Sequence, residues 1–170
     1  FGMHLDSLKV KGVDVSTGSL GHGLPMAVGL SLGARLQNKS WKTYCILGDG
    51  ECNEGSVWEA AMSAAHFKVT NLITFVDRNR MMIDGRTEDV MAIEPFADKW
   101  KAFGFIVKEI DGHDFKDLSE AIDYAHSETK APVLILCNTK KGRGVDFMED
   151  QVKWHYGSID SDLAAKAHDS

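Results

Sequence analysis

Two apolar runs of this sequence each end in side chains that could bind a metal ion. One run ends in Gly48-Asp49-Gly50, and the next ends in Asp77-Arg78-Asn79. Because ligands of parallel sheets bind beyond the carboxyl ends of the strands, Asp49 and Asn79 are expected at the same edge. Carboxylate and amide oxygens suit Mg²⁺, which usually shares its other ligand positions with phosphates. A Gly-Asp-Gly alone is also typical of a tight strand-to-helix turn. The presence of Asn79 at the end of the next run favours a metal site over a simple turn.

Strand and helix patterns alternate along the chain and would position these motifs. The predicted strands cover residues 43–47, 72–76, 106–110 and 133–137. The predicted helices begin at Leu24, at Val57 after a Ser56/Glu59 capping box, at Phe96 and after Asp114, with a last turn at 163–167. This alternation predicts an α/β fold with a mainly parallel sheet flanked by helices on both faces. Residues 1–170 are read as a single domain, in which 142–170 form a C-terminal loop and short helix.

The composition excludes several classes of function. The net charge of −6 and the absence of a basic stripe argue against a nucleic-acid partner. No apolar run approaches the ~18 residues that a membrane span needs. Cys45, Cys52 and Cys137 are odd in number and lack CxxC spacing. Cys45 and Cys137 lie in apolar runs and are predicted to be free core thiols, which favours the reducing cytoplasm.

The loop before the first helix is rich in small and polar residues. Residues 13–23 include Ser16, Thr17, Gly18, Ser19, Gly21 and Gly23. Such a stretch is typical of backbone that passes close to another group. The glycines of the following helix, Gly29 and Gly33, are explained equally well by close packing on a sheet. The loop is therefore a better indication of a binding site than the glycines of the helix.

Together these motifs resemble the transketolase family of thiamine diphosphate enzymes. Gly48-Asp49-Gly50 followed by Asn79 is similar to the thiamine diphosphate motif of the wider superfamily. The glycine loop from Ser16, the stretch from Glu54 to Ala60 and the pair Trp154-His155 narrow the resemblance to transketolases. The resemblance extends over essentially the whole chain. The sequence begins as if in mid-loop, so we expect an N-terminally incomplete diphosphate-binding domain, similar to the N-terminal subunit of a transketolase split into two chains.

The resemblance implies a metal site and a set of cofactor contacts. Asp49 and Asn79 match side-chain ligands of Mg²⁺ (with Ca²⁺ or Mn²⁺ as substitutes), and Met81 matches a backbone-carbonyl ligand. Met81, next to Met82, would otherwise be an ordinary core residue. The cofactor-binding positions implied are Gly18, Ser19, Leu20, Gly50, Glu54, Asn79, Ile83 and His155.

Three of the matched residues are implied in catalysis. His155 matches a histidine near the diphosphate and the substrate, and Glu54 matches a buried carboxylate between active sites. His4 matches a histidine that acts on sugar hydroxyl groups, although a single histidine there is as readily a surface residue. Of the remaining cofactor contacts, the loop Gly18-Ser19-Leu20 would lie along the aminopyrimidine and Ile83 would be an apolar neighbour.

The implied reaction is transfer of a two-carbon ketol unit from a ketose to an aldose. A partner subunit would supply the pyrimidine-binding domain with its activating glutamate, in a hetero-oligomer with two of each chain, and this chain alone would be inactive. Phosphorylated, sulfonated and neutral sugars stay open as substrates. The alternatives are a 1-deoxy-xylulose 5-phosphate synthase-like or dehydrogenase E1-like enzyme, or a non-catalytic cofactor-binding assembly subunit. The stretch from Glu51 to Ala60 favours transketolase over the other two enzymes.

Overall fold

A computed structural model describes residues 4–170 of the chain. Its strands are β1 Thr43–Gly48, β2 Leu72–Arg78, β3 Met81–Met82, β4 Gly85–Arg86, β5 Ile106–Asp111 and β6 Val133–Asn138. Its α-helices are α1 Gly23–Leu36, α2 Gly55–His66, α3 Thr87–Val90, α4 Phe96–Ala102, α5 Phe115–Ser127 and α6 Ser161–His168. Two 3-10 helices cover Gly50–Asn53 and Val152–His155.

The main sheet consists of four parallel strands in the order β1-β2-β6-β5. The register pairs Gly48 of β1 with Asp77 of β2, and Arg78 of β2 with Asn138 of β6. The carboxyl ends of β1, β2 and β6 are therefore level at one edge. The short strands β3 and β4 form an antiparallel hairpin directly after β2. The expected α/β fold with a parallel sheet is confirmed.

Hydrophobic side chains fill both faces of this sheet. The larger core lies between the sheet and helices α1, α2 and α4, and it includes Leu47, Val57 and Trp100. The smaller core lies on the opposite face, where Ala121 and Ala125 of α5 pack with residues of β2 and β6. Helices therefore flank both faces, as predicted.

Strand β1 is covered on one face only, although a short apolar run such as 43–47 predicts a strand that is buried on both faces. Cys45 and Leu47 point into the larger core, whereas Tyr44 is 50% and Ile46 is 76% exposed. Successive side chains of a strand point to opposite faces. Since β1 is an edge strand and α5 covers the other end of the sheet, the face with Tyr44 and Ile46 stays largely uncovered.

The helix starts agree with the sequence in one case and differ in another. Asp114 caps α5 as predicted, because its side chain accepts hydrogen bonds from the backbone of Lys116 and Asp117. The predicted Ser56 capping box is wrong, since α2 has Glu54 as its N-cap residue, without a side-chain cap bond. Ser56 lies in the first turn and donates instead to the carbonyl oxygen of Gly21, 2.8 Å away.

All three cysteines are free and buried. Burial raises the pKa of the Cys45 thiol to about 12 and that of Cys137 to about 11, with smaller contributions from Glu51 and Asp77 respectively. These thiols are accordingly protonated, and they pack as small apolar groups. In the described part of the chain, no helix has the length and apolar character needed to cross a bilayer.

Candidate cofactor and metal site

The carboxylate of Asp49 is the buried centre of the predicted site. Asp49 directly follows β1, caps the 3-10 helix Gly50–Asn53 and is 1% exposed. Its Oδ1 accepts a hydrogen bond from the backbone of Gly50 at 2.8 Å. Its Oδ2 accepts one from the backbone of Arg80 at 2.6 Å and another from Nη1 of Arg78 at 3.0 Å. Oδ1 therefore has fewer donors than Oδ2 and keeps a lone pair for a further partner.

Asn79 and Met81 belong to the turn that bonds to Asp49. The side-chain oxygen of Asn79 accepts a hydrogen bond from the backbone of Met81 at 2.9 Å. Between them Arg80 has a left-handed backbone (φ 62°) and donates its backbone N–H to Asp49. The structure thus makes one unit of Asp49 and the turn from Asn79 to Met81, joined by the hydrogen bond from the backbone of Arg80. That they bind a metal stays a prediction.

The donor set of this unit fits a divalent cation that also binds a diphosphate. It offers one carboxylate and one amide oxygen, both hard ligands, together with the backbone carbonyl of Met81. Among residues 4–170, no three Asp, Glu, His or Cys side chains gather as a metal centre. An ion held here would therefore need oxygen ligands from elsewhere, and a diphosphate supplies them with negative charge.

The glycine loop is attached to the same strand end by Glu51, a residue that the sequence interpretation missed. The carboxylate of Glu51 accepts hydrogen bonds from the backbone of Gly21 at 3.0 Å and of Gly48 at 3.1 Å. Gly21 has φ 77°, and a Cβ there would lie only 2.7 Å from that of Glu54. Glycine is required at this close approach. No spacing rule identifies Glu51, because one of its partners, the backbone of Gly21, comes from a segment 30 residues away.

The other predicted cofactor contacts lie on the surface of this chain. Ser19, in the loop with Gly18, bonds through its hydroxyl to the ring of His22. Leu20 is 55% and Ile83 is 66% exposed, so both present apolar surface of the kind that an aromatic ring could cover. Glu54 is also exposed. Its expected burial is therefore not provided by this chain and would need a second one.

His155 and His4 approach the site from opposite ends of the chain. The 3-10 helix Val152–His155 packs on β3, which brings His155 to the site. Loss of hydration and the positive charge of Lys141 lower the pKa of His155, whereas the negative charge of Asp49 acts to raise it. The ring of His4 lies against Gly18, where an added Cβ would be 2.9 Å away. Both histidines are exposed.

Arg78 is the buried centre of a charge cluster that no local pattern in the sequence predicts. Its guanidinium group is 2% exposed and contacts Asp49 at 3.0 Å, Glu94 at 2.7 Å and Glu88 at 3.5 Å. It also donates to the hydroxyl oxygen of Thr87 at 3.0 Å. Burial acts to lower the pKa of Arg78, but its hydrogen bonds to Glu94 and Asp49 raise it overall. The same bond from Arg78, together with a backbone bond, lowers the pKa of Glu94.

Comparison with known families identifies this arrangement. A family model described as "Transketolase, thiamine diphosphate binding domain" matches residues 2–169. This chain belongs to the transketolase family. Its α/β fold with a parallel sheet is thus that of the family's thiamine diphosphate binding domain.

The relatives include subunits of divided transketolases. The chain is 44% identical over 154 residues to one subunit of the apulose-4-phosphate transketolase of Phocaeicola vulgatus, covering 89% of this chain and 54% of the relative. It is 42% identical over 152 residues to the SqwG subunit of the 6-deoxy-6-sulfo-D-fructose transketolase of a Clostridium species, covering 89% and 55%. The chain thus spans about half the length of these curated relatives.

Solved transketolases have the same fold. The enzyme from Campylobacter jejuni superposes with a TM-score of 0.85 at 32% identity, over 93% of this chain and 26% of that one. A Pichia stipitis transketolase mutant in complex with xylulose-5-phosphate gives a TM-score of 0.78 at 28% identity, over 96% and 29%. The transketolase family resemblance is confirmed, and the transketolase candidate is favoured over the other enzymes considered.

Proposed function

We propose that this chain is the diphosphate-binding half of a two-chain transketolase that transfers a ketol unit from a ketose to an aldose. The observation that carries the proposal is the position of Asp49 beside the turn from Asn79 to Met81 at the carboxyl ends of β1 and β2, where the backbone N–H of Arg80 bonds to Asp49. That edge is where parallel α/β sheets bind ligands.

In this proposal Asp49, Asn79 and the carbonyl of Met81 bind Mg²⁺, or Ca²⁺ or Mn²⁺ in its place. Gly50 and Asn79 contact the diphosphate. The backbone of Gly50 is close to Met82, where a Cβ would lie 3.0 Å away, so a side chain would crowd this contact. Thiamine diphosphate, when bound, supplies the reactive carbon that takes up and passes on the two-carbon unit.

The histidines have the proton-handling roles. The lowered pKa of His155 favours its neutral form near neutral pH, in which one ring nitrogen can accept a proton. The charges of Lys141 and Asp49 both act on its ring, and its 3-10 helix packs on β3, which supports a contact to both diphosphate and substrate. His4, held against Gly18, is positioned to bind sugar hydroxyl groups.

A partner subunit completes the site. It would contribute the pyrimidine-binding domain, cover Glu54 and form a hetero-oligomer with two of each chain. The exposed apolar side chains of α1, Met26 and Leu30, support a contact surface on this chain. The free thiols are consistent with a cytoplasmic protein.

The substrate proposed is a ketose with an anionic terminal group. The two subunit relatives are named for apulose-4-phosphate and for 6-deoxy-6-sulfo-D-fructose, which carry a phosphate and a sulfonate. An anionic group on the sugar is common to both names. Sugar phosphates are accordingly the first substrates to assay, with sulfonated sugars second.

The test is reconstitution with a candidate partner subunit, thiamine diphosphate and Mg²⁺. We expect ketol transfer by the complex and none by the chain alone. Asp49→Ala should abolish cofactor binding, measured by calorimetry, and reduce turnover at least a hundredfold. Asp123→Ala, an exposed carboxylate change on α5, is the matched control and should leave both unchanged. Turnover that survives Asp49→Ala refutes the metal site, and cofactor binding without any turnover would identify an assembly subunit instead.

A further inference from the structure

Asp49 and Arg78 form an ion pair in which both side chains are almost completely buried. The exposed fractions are 1% and 2%, and the N–O distance is 3.0 Å. Removing one partner of such a pair leaves an uncompensated buried charge, whereas the intact pair is electrically neutral. The candidate metal ligand therefore already has a positive counter-charge from the protein itself.

The hydrogen bonds fix both members of the pair. Arg78 and the backbone of Arg80 bind Oδ2 of Asp49, so Oδ1 is the oxygen with a free lone pair. The guanidinium of Arg78 is itself held by Thr87 and Glu94, and it lies 5.5 Å from the ring centre of Phe96. Such a group cannot move aside easily when a second cation arrives.

The charges around Asp49 then determine whether the free divalent cation or the cation with a diphosphate binds more tightly. A divalent ion on Oδ1 would lie close to a fixed guanidinium, and the two positive charges repel each other. Glu94 and Glu88 also contact this guanidinium, but they are 51% and 40% exposed, so water screens their charges and they offset that of Arg78 only in part. A diphosphate brought with the ion supplies negative charge that offsets this repulsion. We infer that Arg78 is a positioning residue and internal counter-ion for Asp49, which weakens binding of the free divalent cation and makes the ion bind together with diphosphate.

This inference rests on the proposed function, since it assumes that Asp49 is a metal ligand. A counter-ion role and a purely structural role of Arg78 predict opposite effects of its loss on metal binding. If Arg78 only held Asp49 in place, its loss would weaken metal binding. If Arg78 opposes the free cation, its loss should strengthen binding of that cation when no diphosphate is present.

The experiment measures Mn²⁺ binding to the full chain by electron paramagnetic resonance, with and without thiamine diphosphate. We expect the unaltered chain to bind Mn²⁺ weakly alone and much more tightly with the cofactor. Arg78→Met should bind Mn²⁺ alone at least about tenfold more tightly, because the charge is lost while an apolar stem remains. Arg78→Lys keeps the charge and should stay within about threefold of the unaltered chain. Arg35→Met, near the end of α1 and bonded to the carbonyl of Phe67, controls for the loss of one positive charge.

The outcomes separate the two proposals. Failure of the unaltered chain to bind Mn²⁺ with the cofactor, in the presence of its partner, rejects the proposed function. Normal cofactor-dependent binding combined with unchanged or weaker Mn²⁺ binding by Arg78→Met rejects the counter-ion role alone. If Arg78→Met does not fold, Arg78→Gln carries the test. Its amide can still donate a hydrogen bond to Asp49 but has no charge, so Mn²⁺ alone should again bind severalfold more tightly, and unchanged or weaker binding contradicts the inference.

Discussion

The carboxylate of Glu51 accepts backbone hydrogen bonds from Gly21 and Gly48, and so joins the glycine loop to the end of β1. Glu51→Ala would leave both partly buried N–H groups without their acceptor. Unpaired groups of this kind cost about 1–3 kcal/mol. We expect a loss of that size in the free energy of unfolding, measured by urea denaturation.

Glu51→Gln should cost less, because its amide oxygen can still accept one of the two bonds. Glu59→Ala, which removes an exposed carboxylate of α2, should change the free energy of unfolding by less than about 0.5 kcal/mol. If Glu51→Ala is as mild as this control, other contacts hold the glycine loop.

At the residue scale, the sequence predicts the candidate metal and cofactor ligands better than the residues that hold these ligands in place. Asp49 and Asn79 are recognisable because a strand-end carboxylate and amide have a characteristic chemistry. The role of Arg78, one residue before Asn79, cannot be recognised from the sequence. Its burial depends on Thr87 at the start of α3 and on Glu94 in the segment after it, and no local pattern shows that these residues return to the sheet edge.

Helix α5 offers a prediction at the scale of one element. Asp114 caps the helix with bonds of 2.7 Å to the backbone of Lys116 and 3.2 Å to that of Asp117. Replacing a capping Asp by Ala typically costs about 1 kcal/mol. Asp114→Ala should therefore lower the thermal midpoint by several degrees, as measured by circular dichroism, whereas Asp123→Ala, an exposed change in the same helix, should have a smaller effect. Equal midpoints for the two variants would contradict the capping role.

Elements are predictable where the signal is local. The Asp114 cap and the periodicity of α5 lie within one segment, so the sequence suffices. The capping box at Ser56 fails because its hydroxyl bonds to the distant carbonyl of Gly21. The β3–β4 hairpin is not predicted at all, since strands of two residues leave no periodic pattern.

At the scale of the whole molecule, alternation of strands and helices indicates the fold class but not which face of each strand is covered. The apolar run 43–47 reads as a strand buried on both faces, yet only the side with Leu47 is covered in this chain. Since the chain spans about half the length of its curated relatives, the exposed face of β1 is where further protein could pack. Two neighbouring residues of β1, one on each face, allow coverage of the exposed face to be measured.

Leu47→Ala removes side-chain atoms from the larger core, where such truncations cost about 2–5 kcal/mol. Ile46→Ala acts on a side chain that is 76% exposed, and we expect it to cost less than about 1 kcal/mol in this chain alone. Both changes in the free energy of unfolding would be measured by urea denaturation. Repeating the pair in the complex with the partner subunit then tests for coverage of β1: a cost for Ile46→Ala that rises toward that for Leu47→Ala would place protein over this face. A cost that stays small in the complex would show that the exposed face of β1 remains in solvent after assembly.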